Sequence, residues 1–124
     1  MRTLEVSRLI AAPVAEVWEL LVNVEHWPEW GPSVRGVELD TLRISAGSRG
    51  TVITRGGLRL PFDITTFEPQ RRWSWRVAGL QATDHTVEHV GDGTVVRFGV
   101  PVLVAPYTGV CALALRRLER LATC

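Results

Sequence analysis

The sequence predicts an α+β domain: a curved, seven-stranded antiparallel sheet around one long C-terminal helix, with two short helices after the first strand. Three observations support this prediction. A strand-like N-terminus passes into a helical pattern, the middle of the chain consists of short β-rich runs divided by turn residues, and the last segment is amphipathic with helical spacing. An apolar sheet face needs a cover, and the long helix is the element that can provide it.

Length and composition indicate one packed globular domain over positions 1–124. Two independent cores in 124 residues would each be too small to bury enough apolar surface. With 46% hydrophobic and 22% charged residues, the chain is too apolar to be disordered. Its 14 basic residues, all arginine, are scattered and balanced by 13 acidic ones, so no nucleic-acid partner is expected.

The N-terminal residues and the cysteines favour a cytoplasmic location. Arg2, Glu5 and Arg8 would interrupt the apolar core of a signal peptide, and no later stretch approaches the length of a membrane span. Membrane insertion is therefore not expected. Cys111 lies within a helical pattern and Cys124 is the last residue, so both are predicted to be free thiols.

The first third of the chain is predicted to contain one strand and two short helices. Residues 2–11 alternate loosely and are typical of a strand. Pro13 suits a first helical position, apolar residues recur at helical spacing from Val14, and Asn23 offers a stop. A short second helix or turn is predicted over residues 24–30.

Six strands are predicted after Pro32, at 34–41, 50–55, 58–67, 72–78, 82–90 and 94–101. Gly56–Gly57 and Gly91–Gly93 suit tight hairpin loops, and Glu68–Gln70 and Gly79–Leu80 are predicted turns. Strands joined so closely must be antiparallel neighbours.

The long helix is predicted from about Val104 to Ala122. Its apolar stripe consists of Leu103, Tyr107, Val110, Cys111, Ala114, Leu118 and Leu121. Gly109 and Ala114 near this stripe are small, which predicts free space between the helix and the sheet.

This order of elements resembles the helix-grip fold of START-related domains, the birch-pollen allergen family and the polyketide cyclase/dehydrase and lipid transport superfamily. The resemblance spans nearly the whole chain and is most specific at Ala12–Trp18 and Val24–Val34, with further matching patterns at Glu68–Trp75 and Gly91–Val96. It implies an internal cavity that binds a hydrophobic small molecule, such as an aromatic polyketide or a lipid-like compound. Members include enzymes and carriers, so cyclase or dehydrase activity stays open.

The predicted cavity lies between the long helix and the inward faces of the strands, as assigned by strand alternation. Its lining is predicted to be Trp30, Ile53, Arg55, Trp75, His85, Val87, Phe98, Tyr107 and Cys111. Aromatic walls from Trp75 and Tyr107 suit a flat apolar ligand.

His85 is the candidate catalytic residue, as a general acid or base or as a donor that orients a ligand carbonyl. Tyr107 or Arg55 could assist it in an aldol-type cyclisation or dehydration, and Arg55 could anchor a carboxylate or phenolate. The alternatives are a histidine bonded to its neighbours and an arginine at a solvated strand end. Asp84 should point away from the cavity if His85 points into it.

No metal or cofactor is expected. His85 and His89 share a strand face, but four residues of strand separate them by about 13 Å, too far for one ion. The sequence carries no phosphate-binding loop, catalytic triad or signal for an oligomeric state. The alternative function is a non-catalytic structural or interaction module whose cavity is filled by its own side chains.

Overall fold

The computed structural model describes residues 3–101 and 106–123 and contains one antiparallel sheet with helices on its concave side. In chain order the elements are β1 (Thr3–Ile10), α1 (Val14–Val22), a 3₁₀ turn (Val24–His26), α2 (Trp27–Trp30), β2 (Val34–Glu38), β3 (Arg49–Thr54), β4 (Arg59–Glu68), β5 (Arg72–Val77), β6 (Leu80–Val90), β7 (Gly93–Pro101) and α3 (Thr108–Thr123).

The sheet order is β1-β7-β6-β5-β4-β3-β2, and every neighbouring pair is antiparallel. Strands β2 to β7 therefore form a meander, and β1 extends the sheet by pairing with β7. The predicted seven-stranded helix-grip fold is confirmed, with its two short helices between β1 and β2 and its long C-terminal helix.

Element ends differ from the prediction at several places. The second strand ends at Glu38, short of residue 41, and the turn before β6 is Ala78–Gly79, where both residues have positive φ, 52° and 79°. Leu80, predicted as a turn residue, is instead the first residue of β6. The predicted helix start at Val104 lies outside the described residues, as do Leu103 and Cys124.

Helix α1 buries one face on the sheet and ends where Asn23 caps it. Its buried residues are Val17, Trp18, Leu21 and Val22. The Asn23 backbone N–H donates to the Glu19 carbonyl, and its side-chain oxygen accepts from the Glu25 backbone N–H. One residue thus closes α1 and opens the 3₁₀ turn, which sets the direction of α2.

Helix α3 covers one half of the concave face. It packs against β1, β7, α1 and α2 and buries Cys111, Ala114, Leu115 and Leu118. An ion pair of 2.6 Å between Arg8 Nε and Glu119 Oε1 ties it to β1. The concave faces of β2 to β5 therefore lie away from the part of the sheet that α3 covers.

Among the described residues, no helix combines the length and apolar character needed to cross a membrane.

Gly93 allows β1 and β7 to approach closely at the start of β7. A Cβ added there would lie 2.6 Å from the carbonyl oxygen of Ile10. Gly93→Ala should therefore lower the free energy of unfolding by about 1–3 kcal/mol, because backbone atoms must move apart. Gly56→Ala is the matched control, since its added Cβ would have Thr54 Oγ1 as its nearest neighbour, 3.9 Å away. Equal stabilities of the two variants in urea unfolding would contradict this account.

Candidate functional site

An aromatic cluster fills the space between α2 and the concave face of the sheet. Its rings belong to Trp27, Trp30, Phe62, Trp73, Trp75, His85 and Phe98. Trp73 lies at its centre, stacked on Trp27 at 5.3 Å and 2° and on His85 at 3.8 Å and 20°. The edge of Trp75 contacts all three of these rings. Trp75 is the member of this cluster that also lines the outer pocket described below.

Two hydrogen bonds hold the tryptophans of α2 in place. The indole nitrogen of Trp27 donates to the Leu21 carbonyl at 2.9 Å, and that of Trp30 donates to the Leu20 carbonyl at 2.8 Å. Both acceptors lie in the last turn of α1, where carbonyls lack intrahelical partners. The indoles of α2 therefore supply hydrogen-bond donors to the carbonyls at the end of α1. The same bonds hold the two rings against the sheet.

His85 is fully enclosed, and both of its ring nitrogens are bonded to the protein. Nδ1 lies 3.2 Å from the Trp73 carbonyl, which can only accept, so Nδ1 carries the proton in the neutral ring. Nε2 lies 3.0 Å from Thr83 Oγ1 and accepts from it, while that oxygen accepts from the Trp75 indole at 2.9 Å. The result is a one-directional chain from Trp75 through Thr83 and His85 to a backbone carbonyl.

Burial lowers the pKa of His85 to about 4, opposed by its bond to the Trp73 carbonyl and by the charge of Asp84. The imidazole is therefore neutral at physiological pH, and its two nitrogens are occupied. Asp84 lies on the other sheet face, where it accepts from Ser74 Oγ and from Arg72 Nε. The prediction that Asp84 points away from His85 is thus correct.

Only a small inner cavity remains beneath α3. Its volume is about 40 Å³, room for little more than a water molecule. It is lined by Trp27, Trp30, Gly31, Pro32, Ser33, Val34, Trp73, Trp75, Thr83, His85, Phe98, Tyr107, Val110, Cys111 and Ala114. Burial raises the pKa of the Cys111 thiol to about 11, so it stays protonated and is a poor nucleophile.

A larger outer pocket adjoins the inner cavity and opens to solvent. Its volume is about 330 Å³, and it shares Ser33, Val34, Trp75, Thr83 and Tyr107 with the inner cavity. The other described residues of its wall come mostly from β3 to β6: Val52, Thr54, Leu60, Val77, Leu80, Gln81, Ala82 and Pro101. Its surface is largely apolar, so it is the candidate ligand site.

Ser33 and Tyr107 form a hydroxyl pair where the two spaces meet. Ser33 Oγ and Tyr107 Oη are 2.8 Å apart, which links the loop before β2 to the segment before α3. The two hydroxyls lie on the walls of both the cavity and the pocket. We call these two residues the Ser33–Tyr107 pair.

The structure brings six of the nine predicted site residues around the inner cavity: Trp30, Trp75, His85, Phe98, Tyr107 and Cys111. Trp75 and Tyr107 also line the outer pocket. Val87 shares the inward face of β6 and is buried, but it lines neither space. The proposed role of these residues in ligand binding stays a prediction.

The predicted inward face of the third strand is wrong. Val52 and Thr54 line the outer pocket, whereas Ile53 lies beside Gly36 on the opposite face. Arg55 falls in the turn after β3, where its Nε and Nη2 donate to the carbonyls of Pro32 and Pro28 at 3.2 and 3.0 Å. The adjacent apolar residues Val52 and Ile53 give no parity signal, which is why alternation failed there.

The small residues of α3 border only a small part of the predicted space. Ala114 lines the inner cavity, whereas a Cβ added at the exposed Gly109 would meet no atom within 4 Å. The larger space is the outer pocket, of whose helix-side residues Tyr107 was predicted. Its other walls, on β3, β4, the end of β5 and the start of β6, were missed because no pattern tells which part of a sheet a helix leaves uncovered.

Fold and site together define a helix-grip protein with an aromatic interior and an apolar pocket open to solvent. The chain belongs to the family described as polyketide cyclase / dehydrase and lipid transport, which matches residues 1–122. A search of curated protein sequences finds no match.

Solved structures with the same fold are distant in sequence. Protein MLL2253 from Mesorhizobium loti is 20% identical, with a TM-score of 0.75 over 97% of this chain and 96% of that one. DynU16, a protein of the dynemicin biosynthetic locus, is 20% identical, with a TM-score of 0.72 over 95% of this chain and 46% of that one. Ara h 8.0201 is 14% identical, with a TM-score of 0.70 over 98% and 97%. At these identities the likeness concerns the fold alone.

Proposed function

We propose that this protein binds an apolar small molecule in the outer pocket. The observation that carries the proposal is a largely apolar space of about 330 Å³ whose wall includes Trp75, a member of the packed aromatic cluster. Ligand pockets in proteins span roughly 300–1,000 Å³, so a ligand of modest size fits. Family membership supports hydrophobic ligand binding in general terms.

Binding needs only the pocket, whereas a cyclase or dehydrase would also need a proton-transfer group facing the ligand. His85 was predicted for that role, but its nitrogens bond to Trp73 and Thr83. Within the described part of the chain, the outer pocket offers only neutral proton donors, namely hydroxyl groups and the Gln81 amide, since the Trp75 indole hydrogen is donated to Thr83. These groups can orient a ligand, and we therefore propose carriage or sensing of the molecule as the activity.

The alternative is a structural or interaction module whose interior is filled by side chains. The inner cavity of about 40 Å³ favours this alternative for the space beneath α3. It does not account for the outer pocket, whose walls leave eight times that volume unfilled by the described residues.

Occluding the outer pocket should abolish ligand binding while the fold survives. Val77 lines the pocket and is partly exposed, so an indole there can occupy the pocket without entering the packed core. Fluorescence titration with the neutral probe N-phenyl-1-naphthylamine should show saturable binding to the parent and at least about tenfold weaker binding to Val77→Trp.

Val95→Trp is the matched control, since Val95 is a partly buried strand valine on the opposite sheet face. It should bind the probe within about twofold of the parent. Circular dichroism establishes that all three proteins are folded. Tight binding by a folded Val77→Trp variant would place the ligand elsewhere, and a parent that binds no probe would favour the filled module.

A further inference from the structure

We infer that the outer pocket selects an uncharged ligand whose polar end, a carbonyl, hydroxyl or amide group, is held by the Ser33–Tyr107 pair; this inference rests on the proposed function. It specifies the chemical class of the ligand and not only its apolar character. The inference follows from the charges and the hydrogen bonds of the groups that line the pocket.

No formal charge lines the pocket within residues 3–101 and 106–123. The polar side chains of its wall are Ser33, Thr54, Gln81, Thr83 and Tyr107, with the indole of Trp75. Outside these ranges, residues 102–105 are Val-Leu-Val-Ala and carry no charged side chain, whereas Arg2 carries one. A carboxylate placed in the pocket would lose hydration without gaining a cation from the described residues that line it, which is unfavourable.

Most of these polar groups are already engaged by the protein. Thr54 Oγ1 accepts from the Leu58 backbone N–H at 3.1 Å. Thr83 Oγ1 accepts the indole hydrogen of Trp75 and donates its own hydrogen to His85, so neither hydrogen is available to a ligand. Gln81 is exposed at the rim. Of the polar residues that line both the pocket and the inner cavity, the Ser33–Tyr107 pair is therefore the one with a hydrogen left to donate among the described residues.

The Ser33–Tyr107 pair can both donate and accept. Two hydroxyls that bond to each other use one of their two hydrogens, and the second has no acceptor among the described residues. A ligand carbonyl can accept that hydrogen, and a ligand hydroxyl or amide can donate to an oxygen of the pair. Burial raises the pKa of Tyr107 against the effect of its bond to Ser33, so the phenol stays neutral.

Arg55 is the cation that could reverse this selectivity. It follows Thr54 in the chain, and its side chain is exposed. Two of its guanidinium nitrogens are bonded to the carbonyls of Pro28 and Pro32, which keeps it on the outside of the loop before β2. These two bonds use two of the five N–H groups of the guanidinium, and Arg55 is not among the residues that line the pocket.

A pair of isosteric probes tests the inference. We expect 2-naphthamide to bind the parent protein at least about tenfold more tightly than 2-naphthoate at pH 7.5, measured by isothermal titration calorimetry, because only the carboxylate must be desolvated without a partner. The double variant Ser33→Ala/Tyr107→Phe should weaken 2-naphthamide about tenfold and leave naphthalene unchanged, since only the amide loses hydrogen bonds.

A cation introduced at the rim should reduce the discrimination. Gln81→Arg is expected to strengthen 2-naphthoate binding about fivefold, whereas Gln70→Arg, at an exposed turn outside the pocket, adds the same charge and should have no effect. Equal gains in the two variants, or a gain in neither, would show that pocket charge does not set the preference.

The outcomes separate the two proposals. If both probes bind the parent and 2-naphthoate binds as tightly as the amide, the inference is wrong while the proposed function stands. Loss of that carboxylate binding in Arg55→Gln would then assign the anchor to Arg55. If neither probe binds a folded parent, the proposed function and the inference both fail.

Discussion

Replacing Trp27 or Trp73 by alanine is expected to lower the free energy of unfolding by about 3–5 kcal/mol, the largest effect of any single substitution in the aromatic cluster. Both indoles are essentially buried, with 2% and 1% of their surface exposed, and they stack directly on each other. Alanine at either position leaves a large cavity in a closely packed cluster, and the surrounding rings can fill it only in part. Urea unfolding followed by circular dichroism measures the loss.

Phenylalanine substitutions separate packing from hydrogen bonding in the same pair. Trp27 donates to the Leu21 carbonyl, whereas Trp73 Nε1 is buried without a hydrogen-bond partner among the described residues. Trp27→Phe should therefore cost about 1 kcal/mol more than Trp73→Phe, because it alone breaks a buried bond. Leu58→Ala is a surface control, since that side chain is 66% exposed and its loss should change stability by less than about 0.5 kcal/mol. A Trp73→Phe variant as unstable as Trp27→Phe would indicate a hidden partner for Trp73.

The fold was predictable because its signals were regular and redundant. Glycine-containing hairpin loops flank runs of β-forming residues, and the buried residues Val96, Phe98 and Val100 alternate cleanly along β7. The inward face of β6 was assigned from the family resemblance, which places Val87 inward together with His85. The sheet register agrees with that assignment, because His85 pairs with the buried Phe98.

The site was predictable only in part, because it depends on distances that no pattern encodes. The pairing of β5 with β6 is irregular between Ser74 and Arg76. This shift in register lies at Trp75, a residue of the outer pocket. Arg55 donates to the carbonyls of Pro28 and Pro32, and these contacts depend on where the loop before β2 lies relative to the turn after β3. The filling of the interior follows from how Trp27, Trp73 and Trp75 pack against each other, which composition suggested but could not place.

The burial of neutral His85 predicts a specific loss of stability on mild acidification. Its pKa is about 4 in the folded protein and 6.5 in the unfolded chain, so between these values the unfolded state binds more protons. The contribution of the neutral ring is complete above pH 6.5 and declines as the pH falls towards 4. Between pH 7.5 and 5.0 the free energy of unfolding should drop by about 2 kcal/mol through this residue.

A non-titrating variant isolates this contribution. His85→Gln should be less stable than the parent at pH 7.5, because it loses the stacking on Trp73, but its stability should change much less between pH 7.5 and 5.0. His89→Gln removes a histidine from the exposed end of β6 and should keep the full pH dependence of the parent. Urea unfolding of the three proteins at both pH values gives the comparison. The same acid sensitivity in His85→Gln as in the parent would mean that His85 is not the buried group that takes up the proton on unfolding.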